Sequence, residues 1–214
     1  MKLQNMYAFP IPITYGSLGN DSRELNSVLV GHVKDDVAIK SEIRSGVGVQ
    51  QTVTGMEHKY PGVQVLKKAM DVAANEMFRF TGVNAVADTG QYWGNYNPGN
   101  PSAFHMPHSH SMSGDTIFSG VYFPMGKDPD DDLPQLMSES NPKPGSLVMM
   151  DPIHYIKYSV APPNTNRYPF FGLPISMEPQ QGMFILFPSY LSHMVVPMTT
   201  TEERMSIAFA IKVT

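Results

Sequence analysis

Three histidines in the downstream part of the chain have a spacing that could bind a metal ion. His108 and His110 are separated by one residue, and His193 lies much further along the chain. In an extended strand, alternate side chains share a face and lie about 7 Å apart, so these two rings would point the same way. Three imidazoles can bind iron, zinc, copper or nickel and leave coordination positions open for substrate and oxygen. The sequence predicts a metal site at His108, His110 and His193. The alternative is that these histidines lie in polar loops and bind no metal.

Other histidines near this group are weaker candidates. Five of the seven histidines of the chain lie in the same region, namely His105, His108, His110, His154 and His193. This clustering favours a shared role. His105, however, is offset from His108 by three residues, so in a regular strand it would point to the opposite face. We therefore predict His105 to be a bystander.

The last segment of the chain alternates between large apolar residues and small or polar ones. One face would carry Met205, Ile207, Phe209, Ile211 and Val213, and the other Arg204, Ser206, Ala208 and Ala210. The face with small residues has room for a ligand. A guanidinium in such a pocket suits a carboxylate held by two parallel hydrogen bonds. The alternative is that Arg204, at the start of the strand, extends into solvent.

Composition limits the class of protein. With 214 residues the chain suits one domain with a sizeable core. The formal net charge is -4 and no basic patch is evident, which argues against binding of long nucleic acid. The absence of cysteine excludes disulfides and thiolate metal sites and fits a cytoplasmic location. No apolar run is long enough for a signal peptide or a membrane span, so no membrane association is expected.

Periodicity predicts one long helix and several short strands. Residues 61–82 repeat apolar side chains at helical spacing, and Gly82 is placed to end the helix. Short strands with proline- and glycine-rich turns follow it and indicate a sandwich, a barrel or a jelly roll. The predicted strands cover residues 83–87, 91–96, 117–123, 146–151, 183–187 and 205–213.

Three further segments complete the expected organisation. The proline-rich residues 7–14 predict an edge strand or an arm, which could extend the sheet of a second copy in a homodimer. Residues 25–43 have a mixed pattern that favours neither helix nor strand, and residues 46–51 predict a turn and a strand. The long polar and aromatic loop at residues 164–174 could form a lid. We expect a single domain over residues 1–214, with a strand and a supporting helix in 1–90 and a barrel carrying the site in 91–214.

Taken together, these segments resemble the 2-oxoglutarate/Fe(II)-dependent oxygenases, and most closely the branch found in bacteria and their viruses. The resemblance covers roughly residues 92–209 and is weaker upstream. It rests on the His-x-His pair before Ser119-Gly120-Val121-Tyr122, on the segment from Gly182 to Phe187-Pro188-Ser189 followed by His193, and on Arg204-x-Ser206-Ile207-x-Phe209.

The resemblance implies a fold and a set of site residues. The fold would be mainly β with flanking helices, a double-stranded β-helix of the jelly-roll, cupin-like type. His108 and His193 would bind Fe(II), and Arg204, assisted by Ser206, would bind the distal carboxylate of 2-oxoglutarate. Tyr122 would be a further cosubstrate contact, and Trp93 and Asn95 would line the site. The implied reaction uses O2 to hydroxylate a C–H bond of a small-molecule or peptide substrate.

One residue departs from the pattern of that superfamily. The superfamily usually has His-x-Asp or His-x-Glu, whereas this chain has His108-Ser109-His110. His110 could replace the carboxylate, which is the interpretation we favour. Asp115 or Asp151 could instead supply a carboxylate, or the altered site could have impaired turnover. A neutral ligand would leave the iron with one more unit of positive charge and change its redox properties.

Two other functions compete with the oxygenase. One is another metal-dependent enzyme on a cupin-like barrel that does not use 2-oxoglutarate. The other is a non-catalytic binding or structural module that kept the barrel. Resemblance of fold alone does not decide among them, because one fold hosts many functions.

Overall fold

The structure is a computed structural model, and it describes residues 11–42, 44, 46–110, 116–128, 137–138, 142–150 and 174–214. Its architecture is two six-stranded sheets with helices packed on one of them. Every pair of neighbouring strands in the described residues is antiparallel. This confirms the prediction of a mainly β fold with flanking helices.

In the described residues, three α-helices precede most of the strands. A single turn of 3₁₀ helix, Asn20–Ser22, leads into α1, Arg23–Ile39, and α2 covers Met56–Lys59. The longest helix, α3, is Pro61–Thr81 and confirms the helix predicted from periodicity. Proline at its first position needs no hydrogen-bond partner there. Gly82 ends the helix with a φ of 73°, a left-handed conformation in which glycine is unstrained.

The first sheet carries the helices. Its strands, in spatial order, are β1 (Thr14–Ser17), β10 (Met183–Pro188), β6 (Thr116–Tyr122), β12 (Arg204–Val213), β4 (Ala87–Asn97) and β3 (Gln50–Gln51). The second sheet consists of β2 (Gly46–Val47), β5 (Phe104–His108), β11 (His193–Val195), β8 (Leu147–Met149), β9 (Ile175–Met177) and β7 (Met137–Ser138). Within the described parts of the chain, the two sheets do not close into a continuous barrel.

Two apolar clusters hold the layers together. One lies between the helices and the first sheet and includes Leu29, Leu66 and Phe209. The other lies between the sheets, where Val121 and Ala208 of the first sheet meet Leu147 of the second. Burial of these side chains is the main force that keeps the sheets face to face.

The alternation predicted for β12 is confirmed. Met205, Ile207, Phe209 and Ile211 pack toward the helices. Ala208 packs between the sheets, and Arg204 and Ser206 line a cavity on that same side. The last strand therefore contributes one face to the core and the opposite face to the cavity.

Some predicted boundaries need correction. The segment 25–43 forms α1 over most of its length, with Leu29, Val33 and Val37 buried along one side. The predicted strand at 83–87 is wrong in extent, because β4 begins only at Ala87, after the turn that follows Gly82. For the predicted edge strand at 7–14, the described residues 11–13 are not in a strand, and β1 begins at Thr14 and lies at the edge of the first sheet beside β10. Residues 1–10 and 164–173 lie outside the described residues, and the homodimer and the division near residue 90 stay predictions.

Candidate metal centre and cosubstrate cavity

The pairing of β5 with β11 brings the distant histidines together. His193 is the direct antiparallel partner of His108, and their ring centroids are 4.4 Å apart. The ring of His110, just after β5, lies 5.2 Å from that of His108 and 5.1 Å from that of His193. One ring nitrogen from each of the three residues lies within 4.8 Å of the others. This spacing fits three imidazoles around a single ion.

Backbone carbonyls orient two of the rings. Nδ1 of His108 is 2.7 Å from the carbonyl oxygen of Met106, and Nδ1 of His193 is 2.9 Å from that of Leu191. A carbonyl oxygen only accepts hydrogen bonds, so each Nδ1 carries the proton and donates it. With Nδ1 protonated, Nε2 is the ring nitrogen of His108 and His193 that carries a lone pair, which is the usual tautomer of histidine ligands.

Burial keeps these imidazoles neutral. It lowers the pKa of His193 to about 3 and that of His110 to about 4, with nearby histidines adding to the effect. Burial also lowers the pKa of His108. Neutral imidazole is the form that binds metal. The donor set therefore fits a borderline divalent ion such as Fe(II) without prior loss of a proton.

A buried arginine lies at the other end of the site. Arg204, the first residue of β12, is 9% exposed. Its Nε donates to the carbonyl oxygen of Gly145 at 2.9 Å, and its guanidinium lies 5.7 Å from the centre of the Phe123 ring. Burial lowers the pKa of Arg204 to about 10, so it stays charged at neutral pH. Among the described residues, no carboxylate forms an ion pair with it, which suits the binding of an anion from solution.

One cavity connects the arginine with the histidines. It has a volume of about 320 Å³ and lies between the two sheets. Its lining includes the six residues His108, His110, His193, Arg204, Ser206 and Asn95. The structure thus brings together the three histidines, Arg204, Ser206 and Asn95, which were predicted as ligands or cosubstrate contacts.

Comparison with known proteins identifies the family. A sequence model of the family described as "Putative 2OG-Fe(II) oxygenase" matches residues 91–210, more than half of the chain. The chain belongs to the 2OG-Fe(II) oxygenase family. The protein is therefore an oxidoreductase whose cofactors are Fe(II) and 2-oxoglutarate, with O2 as the usual cosubstrate. No protein of curated function matches the oxygenase sequence significantly.

Solved structures confirm that the oxygenase has the double-stranded β-helix fold. A prolyl-4-hydroxylase from Pseudomonas putida is similar with a TM-score of 0.62 at 15% identity, covering 95% of this chain and 94% of that one. HygX from Streptomyces hygroscopicus, with nickel and 2-oxoglutarate bound, gives 0.59 at 8% identity, covering 95% and 84%. A prolyl hydroxylase from Trichoplax adhaerens, in complex with a peptide fragment of a hypoxia inducible factor, gives 0.57 at 13% identity, covering 94% and 84%.

The oxygenase has no described helix that is long and apolar enough to cross a membrane.

Tyr122 does not line the cavity, although it was predicted to contact the cosubstrate. It is fully buried on the helix side of the first sheet, and its hydroxyl donates to the amide oxygen of Asn26 in α1. Its neighbour Val121 and the preceding Ser119 line the cavity instead. The error follows from the period of two in a strand, which sends adjacent residues to opposite faces. The prediction that Tyr122 contacts the cosubstrate is wrong.

The prediction that His105 points to the face opposite His108 is also wrong, because β5 is not a regular strand. From His105 to His108 the chain advances three residues, while the paired strand advances two, from Val195 to His193. This extra residue is a β-bulge, which restores both histidines to the same face. His105 is buried and lines the cavity. The available signal was Pro107, since proline within a sheet is confined to edges and bulges.

Of the remaining predicted site residues, two line the cavity and two lie outside the described residues. Trp93 lines the cavity, and its ring centroid lies 5.5 Å from that of His110 in an edge-on arrangement. Asn95 also lines it, and its Oδ1 accepts a hydrogen bond from Nε2 of Gln51. Asp115 and Asp151, the alternative carboxylate ligands, lie outside the described residues.

Proposed function

We propose that the oxygenase hydroxylates a C–H bond of a small-molecule or peptide substrate at an iron held by His108, His110 and His193. The observation that carries this proposal is one cavity with three converging imidazoles and, in its wall, a buried guanidinium without a carboxylate partner among the described residues. A dicarboxylic oxoacid matches this pair of features, because one end can bind the metal and the other the arginine. When bound, Fe(II) and 2-oxoglutarate supply the oxidising chemistry by activating O2.

His110 is the proposed third ligand. Its ring nitrogen lies in the same group as those of His108 and His193, and its backbone N–H donates to the carbonyl oxygen of Ser189 at 2.8 Å. That bond ties the chain after β5 to the turn after β10. Three neutral ligands give a site of higher positive charge than two histidines and a carboxylate.

Arg204 is the proposed anchor of the distal carboxylate, with Ser206 and Asn95 beside it. Nε of Arg204 is already bonded to Gly145, so its terminal nitrogens are the ones that can donate to a ligand. Ser206 is two residues further along β12, on the same face, and Asn95 is its partner on β4. Since Gln51 bonds to Oδ1 of Asn95, the amide nitrogen of Asn95 is the group that can donate to the cosubstrate.

Apolar walls help to exclude water from the reacting centre. The ring centroids of Phe187 in β10 and of His193 are 4.8 Å apart. Val121 of the first sheet and Leu147 of the second also line the cavity. In such surroundings charged hydrogen bonds strengthen, because the local dielectric is low.

The peptide complex of the Trichoplax neighbour supports a peptide as one substrate class worth testing.

The test is succinate formation by the purified protein with Fe(II), O2 and 2-oxoglutarate, measured by NMR. We expect succinate above a metal-free control even without substrate, from uncoupled turnover. Arg204→Ala should abolish it, and Tyr122→Phe, on the other face of the sheet, should not. Succinate formation that persists in Arg204→Ala would show that another residue binds the distal carboxylate, whereas no succinate from the native protein would favour a metal enzyme that does not use an oxoacid.

A further inference from the structure

The bulge in β5 gives the cavity a histidine that neither the metal nor the proposed cosubstrate contacts account for. His105 is 6% exposed and sits opposite Val195, one pair away from the His108–His193 pair. Its ring centroid is 6.2 Å from that of His108. Its nitrogens are not part of the group within 4.8 Å that includes His108, His110 and His193. His105 is therefore close to the metal site without belonging to it.

His105 lies near both the metal site and the arginine. His105 and Arg204 both line the main cavity and also a small adjoining space of about 10 Å³. Burial, together with the nearby charge of Arg204, lowers the pKa of His105 to about 3. His105 thus borders the same space as the arginine that is proposed to bind the distal carboxylate.

The neighbouring strand leaves space for the imidazole ring. Gly46 of β2 is the direct partner of His105, and a Cβ at position 46 would lie 3.4 Å from Cε1 and 3.5 Å from Nε2 of the ring. A side chain there would compete for the volume that the ring occupies. The bulge and this glycine together hold His105 over the cavity rather than outside the sheet.

We infer that His105 is a cosubstrate-binding residue that donates a hydrogen bond to the distal carboxylate of 2-oxoglutarate alongside Arg204. This rests on the proposed function and adds a residue to it. An imidazole ring carries at least one N–H donor in each of its tautomers, so the role does not require a change of protonation. Donors to a carboxylate form stronger bonds than donors to neutral groups, which gives the contact a measurable effect.

The experiment compares 2-oxoglutarate binding to the Co(II)-loaded native protein and to His105→Phe, by isothermal titration calorimetry. Phenylalanine keeps an aromatic ring and removes the donor. We expect the Kd for 2-oxoglutarate to increase about tenfold or more, and the Kd for Co(II) to stay within about twofold. His105→Asn keeps a donor and should recover part of the affinity. His58→Ala, whose side chain is 85% exposed in the native protein, is the matched control.

A second ligand separates a direct contact from a disturbed fold. 2-Oxopentanoate has the same oxoacid end as 2-oxoglutarate but lacks the distal carboxylate. If His105 binds that carboxylate, His105→Phe should bind 2-oxopentanoate as well as the native protein does. Equal loss for both ligands, or weaker Co(II) binding, would assign His105 to support of the histidine ligands and overturn the inference. Unchanged 2-oxoglutarate binding would also overturn it, whereas a native protein that binds no 2-oxoglutarate would contradict the proposed function itself.

Discussion

His193 lies directly across from His108 in the antiparallel pair of β11 and β5, with 4.4 Å between the ring centroids. The two residues come from distant parts of the chain and meet only because these strands pair. Strand register therefore sets the metal site, and a one-residue slip would turn the ligands to opposite faces.

Loss of either of these histidines should abolish tight metal binding. For His108→Ala and His193→Ala we expect the Kd for Co(II) to rise by more than about 100-fold, since even residues that only support a ligand can cost 10–100-fold. The measurement is the visible absorption of Co(II) during titration. His58→Ala should bind like the native protein. Native-like binding in His193→Ala would rule out the three-histidine site.

His110 distinguishes a three-histidine site from one with a carboxylate. We expect His110→Ala to weaken Co(II) binding by roughly 10-fold or more, and His110→Asp to retain it, because a carboxylate is the other common ligand for such ions. Calorimetry of Co(II) binding to both variants gives the comparison. If His110→Ala binds the metal normally, the third ligand lies elsewhere, with Asp115 and Asp151 as the residues to mutate next.

Arg204 should control affinity for the cosubstrate rather than for the metal. Arg204→Ala should raise the Kd for 2-oxoglutarate by roughly 100-fold, since hydrogen bonds to charged groups contribute about 1.5–3 kcal/mol each. Arg204→Lys should recover only part of this, because an ammonium lacks the planar fork that binds a carboxylate at two points. Titration of the Co(II)-loaded variants measures both. Equal affinity of Arg204→Ala and the native protein would contradict the assignment.

Tyr122 should contribute to stability and not to the chemistry. Tyr122→Phe removes the hydrogen bond to Asn26, and we expect the free energy of unfolding to fall by about 1–2 kcal/mol. Urea denaturation measures this loss. The Kd for 2-oxoglutarate should match that of the native protein, and a clear increase would return Tyr122 to the list of cosubstrate contacts.

The regular parts of the structure could be predicted from the sequence. The 3.6-residue period of α3 is visible in the sequence because this helix buries one apolar face. The alternation of β12 is visible because its two buried faces differ, with large apolar side chains toward the helices and small or polar ones on the opposite side. These patterns were enough to place Arg204 and Ser206 in the cavity. Residue type and spacing suggested that His108 and His193 share a metal, and the resemblance supported it, but strand partners are not encoded locally.

What the sequence did not reveal depends on tertiary context. The bulge at Pro107 changes the face of His105, and a simple count of residues along the strand misses it. Tyr122 was predicted from its place in a motif, whereas in the folded sheet it shares the helix side with Phe118. In α1, buried polar residues such as Asn26 and Asp36 obscure the apolar stripe, because their partners lie on other elements.

The two faces of β6 have different roles, one in stability and one in lining the cavity. On the outer side, Tyr122 is tied to α1, and on the inner side Ser119 and Val121 border the cavity. Natural variation or directed evolution at the inner positions can therefore reshape substrate preference while the anchor to the helix is preserved. A library restricted to residues 119 and 121 would explore new substrates from a scaffold that still folds.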